Sequence, residues 1–187
     1  EAQKLSYKRG ESLGFAILGG IIGNKGDFYE AEQLIKEAIA IAKTHKEKKA
    51  LTAAYINLGT LYTRNDLKKL AIEQYIMGAK IASQDTTLID FEITHLMNIG
   101  AIHLLDENIF EAKQYLKEAQ EKSETRERKF RTAQIYVNRA IVETNLKNFG
   151  VALELYFKGL KIFKQENLQL YFHKTQIGIA RCYIDLN

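Results

Sequence analysis

The chain has 187 residues, 46% hydrophobic and 27% charged, which is enough apolar material for one folded domain and excludes a disordered chain. Its 27 basic and 23 acidic side chains leave a formal charge of +4, too small and too mixed an excess to indicate a nucleic-acid partner. One cysteine excludes an intrachain disulfide, and the longest apolar stretch, residues 15–23, is too short to span a bilayer. Because there is no proline, we expect long helices and short turns.

A pattern of small residues repeats about every 40 residues along the chain. The first column consists of Gly19, Gly59, Gly100, Ala140 and Ala180. A second column follows twelve positions later, at Ala31, Ala71, Ala112 and Ala152, and a third lies seven further on, at Ala38, Gly78, Ala119 and Gly159. Three columns in register predict repeated pairs of antiparallel helices, here called A and B, whose backbones approach closely at the small residues.

The predicted elements, in chain order, begin with the tail of an earlier helix B over residues 1–8. Four helix pairs follow over about 12–51, 52–92, 93–132 and 133–172, and a fifth helix A covers 173–187. Turns between A and B are predicted near residues 25, 66, 107 and 148, where Asn, Asp and Gly tolerate left-handed backbone or cap the next helix. We expect a single array of 1–187, cut from a longer protein.

Each helix A carries a packing stripe at helical spacing, i, i+3, i+4 and i+7. In the first repeat the stripe consists of Phe15, Leu18, Gly19 and Ile22, and in the second of Tyr55, Leu58, Gly59 and Tyr62. In the third repeat His103 occupies the last position, where we expect it to be packed between helices. The fourth repeat is weaker, because Arg139 and Glu143 occupy stripe positions.

The second repeat resembles the tetratricopeptide signature of an aromatic residue, Leu-Gly, Tyr, Ala and a second aromatic. The matching residues are Tyr55, Leu58, Gly59, Tyr62, Ala71 and Tyr75. The resemblance covers essentially the whole chain, but the period of about 40 is longer than the usual period of roughly 34. This longer period is similar to that of arrays in bacterial sensor kinases, in peptide-sensing regulators of Gram-positive bacteria and in kinesin light chains. This resemblance implies an all-α, right-handed superhelical solenoid of antiparallel helix pairs.

The sequence contains no catalytic or metal-binding arrangement that we recognise. The glycines between residues 19 and 26 lack both the preceding strand and the Lys-Ser/Thr ending of a phosphate-binding loop. None of the four histidines is spaced with a second ligand, and Cys182 has no candidate base beside it. We therefore expect no enzyme activity, no cofactor and no metal.

Helix A is expected to line a concave groove. The column two positions before the signature residue is rotated about 200° from it, into the groove, and contains Asn57, Asn98 and Asn138. Asparagine side chains can satisfy the main chain of an extended peptide, and in similar peptide-binding arrays asparagines in this column do so. Asparagine is also common in this column of the family whatever the ligand, so both interpretations stay open.

Neighbouring columns supply the other predicted groove residues. These are Ile56, Thr60, Arg64, Met97, Ala101, Val137, Ile141, Asn145 and Arg181. Some of the aliphatic side chains are needed to seal adjacent A helices. The few cations, Arg64, Lys174 and Arg181, argue against the clamp for a terminal carboxylate found in some relatives.

The leading hypothesis is a protein-interaction module that binds a peptide or partner segment in this groove, within a bacterial regulatory or sensory protein. A structural adaptor that self-associates is the alternative, and an RNA-binding helical repeat, using the basic stretches 43–49 and 122–131, is a more remote one. We expect a protein or peptide partner, no nucleic acid and no membrane insertion by this segment. The sequence does not identify a compartment; the cytoplasm is favoured, with an extracytoplasmic sensor domain as the alternative.

Overall fold

A computed structural model describes residues 2–124 and 128–186, with side chains from residue 10 onward. Within these ranges the chain is all-α, with no strand. The helices are α1 (Ala2–Lys25), α2 (Phe28–Thr44), α3 (Lys48–Arg64), α4 (Lys68–Ala82), α5 (Ile89–Leu105), α6 (Ile109–Glu124), α7 (Lys129–Asn145), α8 (Phe149–Gln165) and α9 (Gln169–Leu186), with a 3₁₀ turn (Thr86–Leu88) before α5. The odd-numbered helices are the predicted A helices and the even-numbered ones are the B helices.

The chain divides into two compact units, and the boundary between Asn98 and Ile99 lies within α5. In the first unit α1 packs on α2, α2 on α3 and α3 on α4; in the second, α6 packs on α7, α7 on α8 and α8 on α9. Consecutive helices therefore pack on each other in each unit, as the predicted helix pairs require.

The turns between A and B recur in register. Each contains a residue with positive φ, and these residues are Gly26, Asp66, Glu107 and Lys147. In the second repeat the Leu67 N–H donates to Tyr62 O at 2.9 Å and the Asp66 N–H donates to Thr63 O at 3.2 Å, the paired bonds of a Schellman motif. The predicted turns near residues 25, 66, 107 and 148 are confirmed.

The small columns mark the closest approach of A to B. A Cβ added at Gly59 would lie 2.6 Å from Tyr75 Cε1, and one at Gly100 would lie 2.7 Å from Leu116 Cγ. In both cases the partner is sixteen residues further along, on the B helix of the same repeat. The register read from the sequence is therefore confirmed in both units.

The first helix differs from the prediction. α1 continues without interruption from Ala2 to Lys25, so no turn separates a tail over residues 1–8 from the first helix A. Residues 2–22 contain no Pro, Asn or Asp that would favour a turn, and single glycines in a helix cost only about 1 kcal/mol each. Leu18 is 45% exposed, whereas Leu58 in the same column is 2% exposed, because α2 packs on α3 and no described helix covers α1 on that side.

The weak packing stripe of the fourth repeat forms a polar joint between α6 and α7. The guanidinium of Arg139 donates to Gln120 Oε1, and the Tyr136 hydroxyl donates to Glu124 Oε1 at 2.8 Å. Arg139 thus hydrogen-bonds at the column where the second repeat has the buried Leu58.

Glu143 belongs to the same joint and is 3% exposed. Its Oε1 lies 2.8 Å from Lys113 Nζ, and its Oε2 accepts a hydrogen bond from Asn148 Nδ2 at 2.8 Å. Burial alone raises the pKa of Glu143, but the bonds from Lys113 and Asn148 outweigh it and hold the pKa below its usual value.

His95 is a fully buried polar side chain in the first unit. Thr52 Oγ1 donates to Gly78 O at 3.0 Å and lies 2.9 Å from His95 Nε2, so the histidine donates to the threonine. A Cβ on Gly78 would lie 2.1 Å from the imidazole, so only glycine leaves room for the ring. His95 Nδ1 has no hydrogen-bond partner among the described residues, and burial lowers the pKa of His95 to about 4.

One segment, Thr86–Leu105, is long and apolar enough to cross a membrane by length and composition alone, with a mean hydropathy of 1.2. Half of it is buried inside the protein, and the core helix of a folded domain passes the same test. The segment is therefore only a weak indication of a membrane span.

Candidate functional site

An open cavity of about 340 Å³ lies between α1 and α3 in the first unit. It contains three of the predicted groove residues, Asn57, Thr60 and Arg64. The other lining residues are Ile17, Gly20, Ile21, Gly23, Asn24 and Leu61. The walls are thus aliphatic and glycine-rich, and they also carry two amide groups and one cation.

Asn57 is half-buried in the wall of this cavity and also holds the two A helices together. Its Nδ2 donates to Ala16 O on α1 at 2.9 Å. The groove prediction assumed that this side chain is free for a ligand, whereas one of its N–H donors is bonded to α1. An asparagine has two N–H donors and a carbonyl acceptor, so one bond to α1 does not exhaust its capacity.

Asn98 is half-buried and hydrogen-bonds the hydroxyl of Tyr75. Thr60 Oγ1 lies 3.1 Å from the same hydroxyl. Burial raises the pKa of Tyr75, and the hydrogen bonds from Thr60, Thr63 and Asn98 oppose that rise. Asn98 therefore has an intramolecular partner on helix B.

A second open cavity, of about 410 Å³, lies between α7, α8 and α9 in the second unit. Four of the predicted groove residues line it, namely Val137, Ile141, Asn145 and Arg181. The other lining residues are Thr144, Tyr156, Lys174, Ile177, Gly178 and Asp185. Asn138 is half-buried on α7 and is not among the lining residues.

The remaining predicted residues fall outside the two cavities. Met97 is 7% exposed, so its assignment to the groove is wrong: its side chain belongs to the core of the first unit. Ile56 and Ala101 are half-buried and line neither cavity. The alignment of the three asparagines along one groove stays a prediction.

Several lining residues were not predicted from the sequence. Ile17 and Gly178 stand in the asparagine column and Gly20 stands in the column of Thr60 and Arg181, so column counting was a signal that could have found them. Tyr156 lies on helix B, and counting along helix A columns could not have found it.

The structure shows little other chemistry. Within the described ranges, no three His, Cys, Asp or Glu side chains are close enough together to hold a metal ion. Cys182 is buried, with its Sγ 3.9 Å from Phe149 O. Lys43 of the first basic stretch lies over the Tyr55 ring at 5.8 Å, and Arg126 and Glu127 of the second stretch are outside the described residues.

No model of a protein family matches the chain, and no curated protein matches it by sequence. Solved structures do match. BtubC (BKLC) from P. vanneervenii is 24% identical with a TM-score of 0.80, over 92% of this chain and 71% of that one. A signal transduction ATPase with numerous domains (STAND) from Pyrococcus horikoshii, which has a tetratricopeptide repeat sensor, is 17% identical with a TM-score of 0.82.

The second match covers 95% of this chain but only 28% of the STAND protein, so this chain spans less than a third of that protein's length. At these identities the likeness is one of fold. The chain has an all-α helical-repeat fold of the solenoid class, built from consecutively packed helix pairs.

Proposed function

We propose that the chain is a tetratricopeptide-type array that binds an extended polypeptide segment against its A helices. One observation carries this proposal: each unit has an open cavity walled by its A helices, at residues that the groove prediction named. The volumes, about 340 and 410 Å³, fall within the size range of ligand pockets.

The composition of the walls favours a polypeptide. Aliphatic side chains such as Ile17 and Ile141 provide apolar contacts for side chains, and amides such as Asn57 and Asn145 provide partners for a main chain. An extended segment offers apolar and polar groups at short intervals, which matches the lining of each cavity.

We further propose that the array serves a larger bacterial regulatory or sensory protein. The resemblance of the repeat period supports this, and a fold neighbour with a tetratricopeptide repeat sensor supports the sensory role alone.

A substitution that fills one cavity tests the proposal. A Cβ on Gly20 would have no neighbour closer than 3.9 Å, so Gly20→Leu projects a side chain into the first cavity without a backbone clash. Gly14→Leu is the matched control, because a Cβ on Gly14 meets nothing within 4 Å and Gly14 is not a lining residue.

The probe is a phage-displayed library of random nonapeptides, each about 30 Å long when extended. Peptides selected on the parent protein are then measured by calorimetry against both variants. We expect Gly20→Leu to weaken at least one selected class about tenfold or more and Gly14→Leu to leave binding unchanged. Equal binding by all three proteins, or no selection at all, contradicts the proposal.

Self-association is the second candidate function, and the exposed strip of α1 favours it. Ile17, Leu18 and Ile21 are 59%, 45% and 49% exposed. Light scattering after size exclusion, at several concentrations, measures the oligomeric state. If this strip mediates association, Leu18→Glu yields monomers; because Leu18 does not line the first cavity, peptide binding should persist.

A further inference from the structure

We propose that the cavity of the second unit recognises an acidic side chain of the bound segment, which it holds between Lys174 and Arg181. This inference rests on the proposed function and names the chemistry of one subsite. The occupant is an Asp or Glu residue of a partner polypeptide, next to aliphatic residues in the same segment.

The two cations lie on one face of α9. Lys174, Gly178 and Arg181 are spaced i, i+4 and i+7, and all three line the cavity. A helix rises 1.5 Å per residue, so the Cα atoms of the cations are about 10 Å apart along the axis, with Gly178 between them. A carboxylate placed between the two cations is within reach of both long side chains.

The ring of Tyr156 fills the space beside Gly178. A Cβ on Gly178 would lie 2.7 Å from Tyr156 Cε1, so no larger residue fits without moving the ring. The Tyr156 hydroxyl is hydrogen-bonded to Thr144, whose Oγ1 donates to Ala140 O at 2.9 Å. The Tyr156 ring therefore forms part of the cavity lining, and the hydroxyl protons of Tyr156 and Thr144 are already used within the protein.

Charge in the cavity is positive. Burial raises the pKa of Tyr156, so the phenol is neutral at physiological pH and adds no negative charge. The one acidic lining residue is Asp185, one turn beyond Arg181. Two cations and one carboxylate leave a net charge of +1, and none of the three forms an ion pair with another described residue. The cations are available to a ligand carboxylate.

The lining also contains aliphatic side chains, and these set the context of the acidic residue. Val137 and Ile141 on α7 and Ile177 on α9 line the same space. In an extended segment, side chains two residues apart point to the same side. The preferred segment therefore has an acidic residue with an aliphatic residue two positions away.

The nonapeptide phage library is selected in parallel on the parent protein, on the double variant Lys174→Gln/Arg181→Gln and on a control. The control, Lys80→Gln/Lys161→Gln, removes the same charge from exposed positions on α4 and α8 that line no cavity. Circular dichroism establishes that all three proteins are folded. Enrichment of Asp and Glu at each peptide position is the readout.

We expect the parent and the control to enrich acidic residues next to aliphatic ones, and the double variant to lose the acidic enrichment only. Calorimetry of a selected acidic peptide and its Gln counterpart should give about a threefold to tenfold difference in affinity on the parent, in the range of two exposed ion pairs. Peptides that bind the cavities without an acid preference, or with one that survives in the double variant, overturn this inference and leave the proposed function standing. The absence of any selected peptide overturns both.

Discussion

The buried imidazole of His95 makes the stability of the first unit depend on pH. Its pKa is about 4 in the native state, against an ordinary value of 6.5, because the ring is buried and has one hydrogen-bond partner, Thr52. The unfolded state therefore binds the proton first as pH falls. The contribution of the neutral imidazole to the unfolding free energy is fully present above pH 6.5, decreases between pH 6.5 and 4, and is lost below pH 4. The pKa difference corresponds to about 3 kcal/mol, of which about 2 kcal/mol is lost by pH 5.

Urea unfolding of the parent, followed by circular dichroism at pH 7.5 and pH 5.0, measures this loss. His95→Gln removes the titrating group and should flatten the change in unfolding free energy between the two pH values, whatever its effect at pH 7.5. His173→Gln is the control, because His173 is exposed and should leave the parent's pH dependence in place. An NMR titration that gives His95 a native pKa near 6.5, or equal pH dependence in all three proteins, would refute the reasoning.

Three further predictions concern packing, hydrogen bonding and backbone conformation. Gly59→Leu and Ala112→Leu should overpack the contact between A and B and lower the unfolding free energy by at least about 1–3 kcal/mol. Thermal melts measure this loss, and Lys69→Leu, at an exposed position, is the control that should change the unfolding free energy little. Asn57→Ala should cost about 1 kcal/mol in urea unfolding, because it removes the bond to α1; an unchanged midpoint would show that this bond contributes nothing. Glu107 has a left-handed backbone conformation, so Glu107→Gly should remove up to about 1 kcal/mol of backbone strain and raise the melting temperature. A lower melting temperature would contradict this.

The fold was predictable because small residues in register are a strong signal. Gly59 and Gly100 each face a large side chain sixteen residues further on, and a larger residue at either position would collide with it. The exposure of Leu18 was not predictable from its column, because burial there depends on a neighbouring helix rather than on the residue itself.

The site was predictable only in part. Column counting selected Thr60 and Arg64, which line one cavity, and Ile141, which lines the other, whereas peptide binding at either cavity stays a prediction. It could not show that Asn57 donates a hydrogen bond to α1. Whether a side chain bonds a ligand or a neighbouring helix depends on distances of a few tenths of an ångström.

The polar joint between α6 and α7 has a consequence for the identity of the repeats. Arg139 and Glu143 on α7 pair with Gln120 and Lys113 on α6, so a different neighbour would leave a half-buried guanidinium without its acceptor and a buried carboxylate without its cation. Such pairs add little stability, but a mismatch costs several kcal/mol. The fourth repeat therefore distinguishes its own neighbour from the others, so a chain in which it is transplanted behind the first repeat should assemble poorly even though both share one backbone plan.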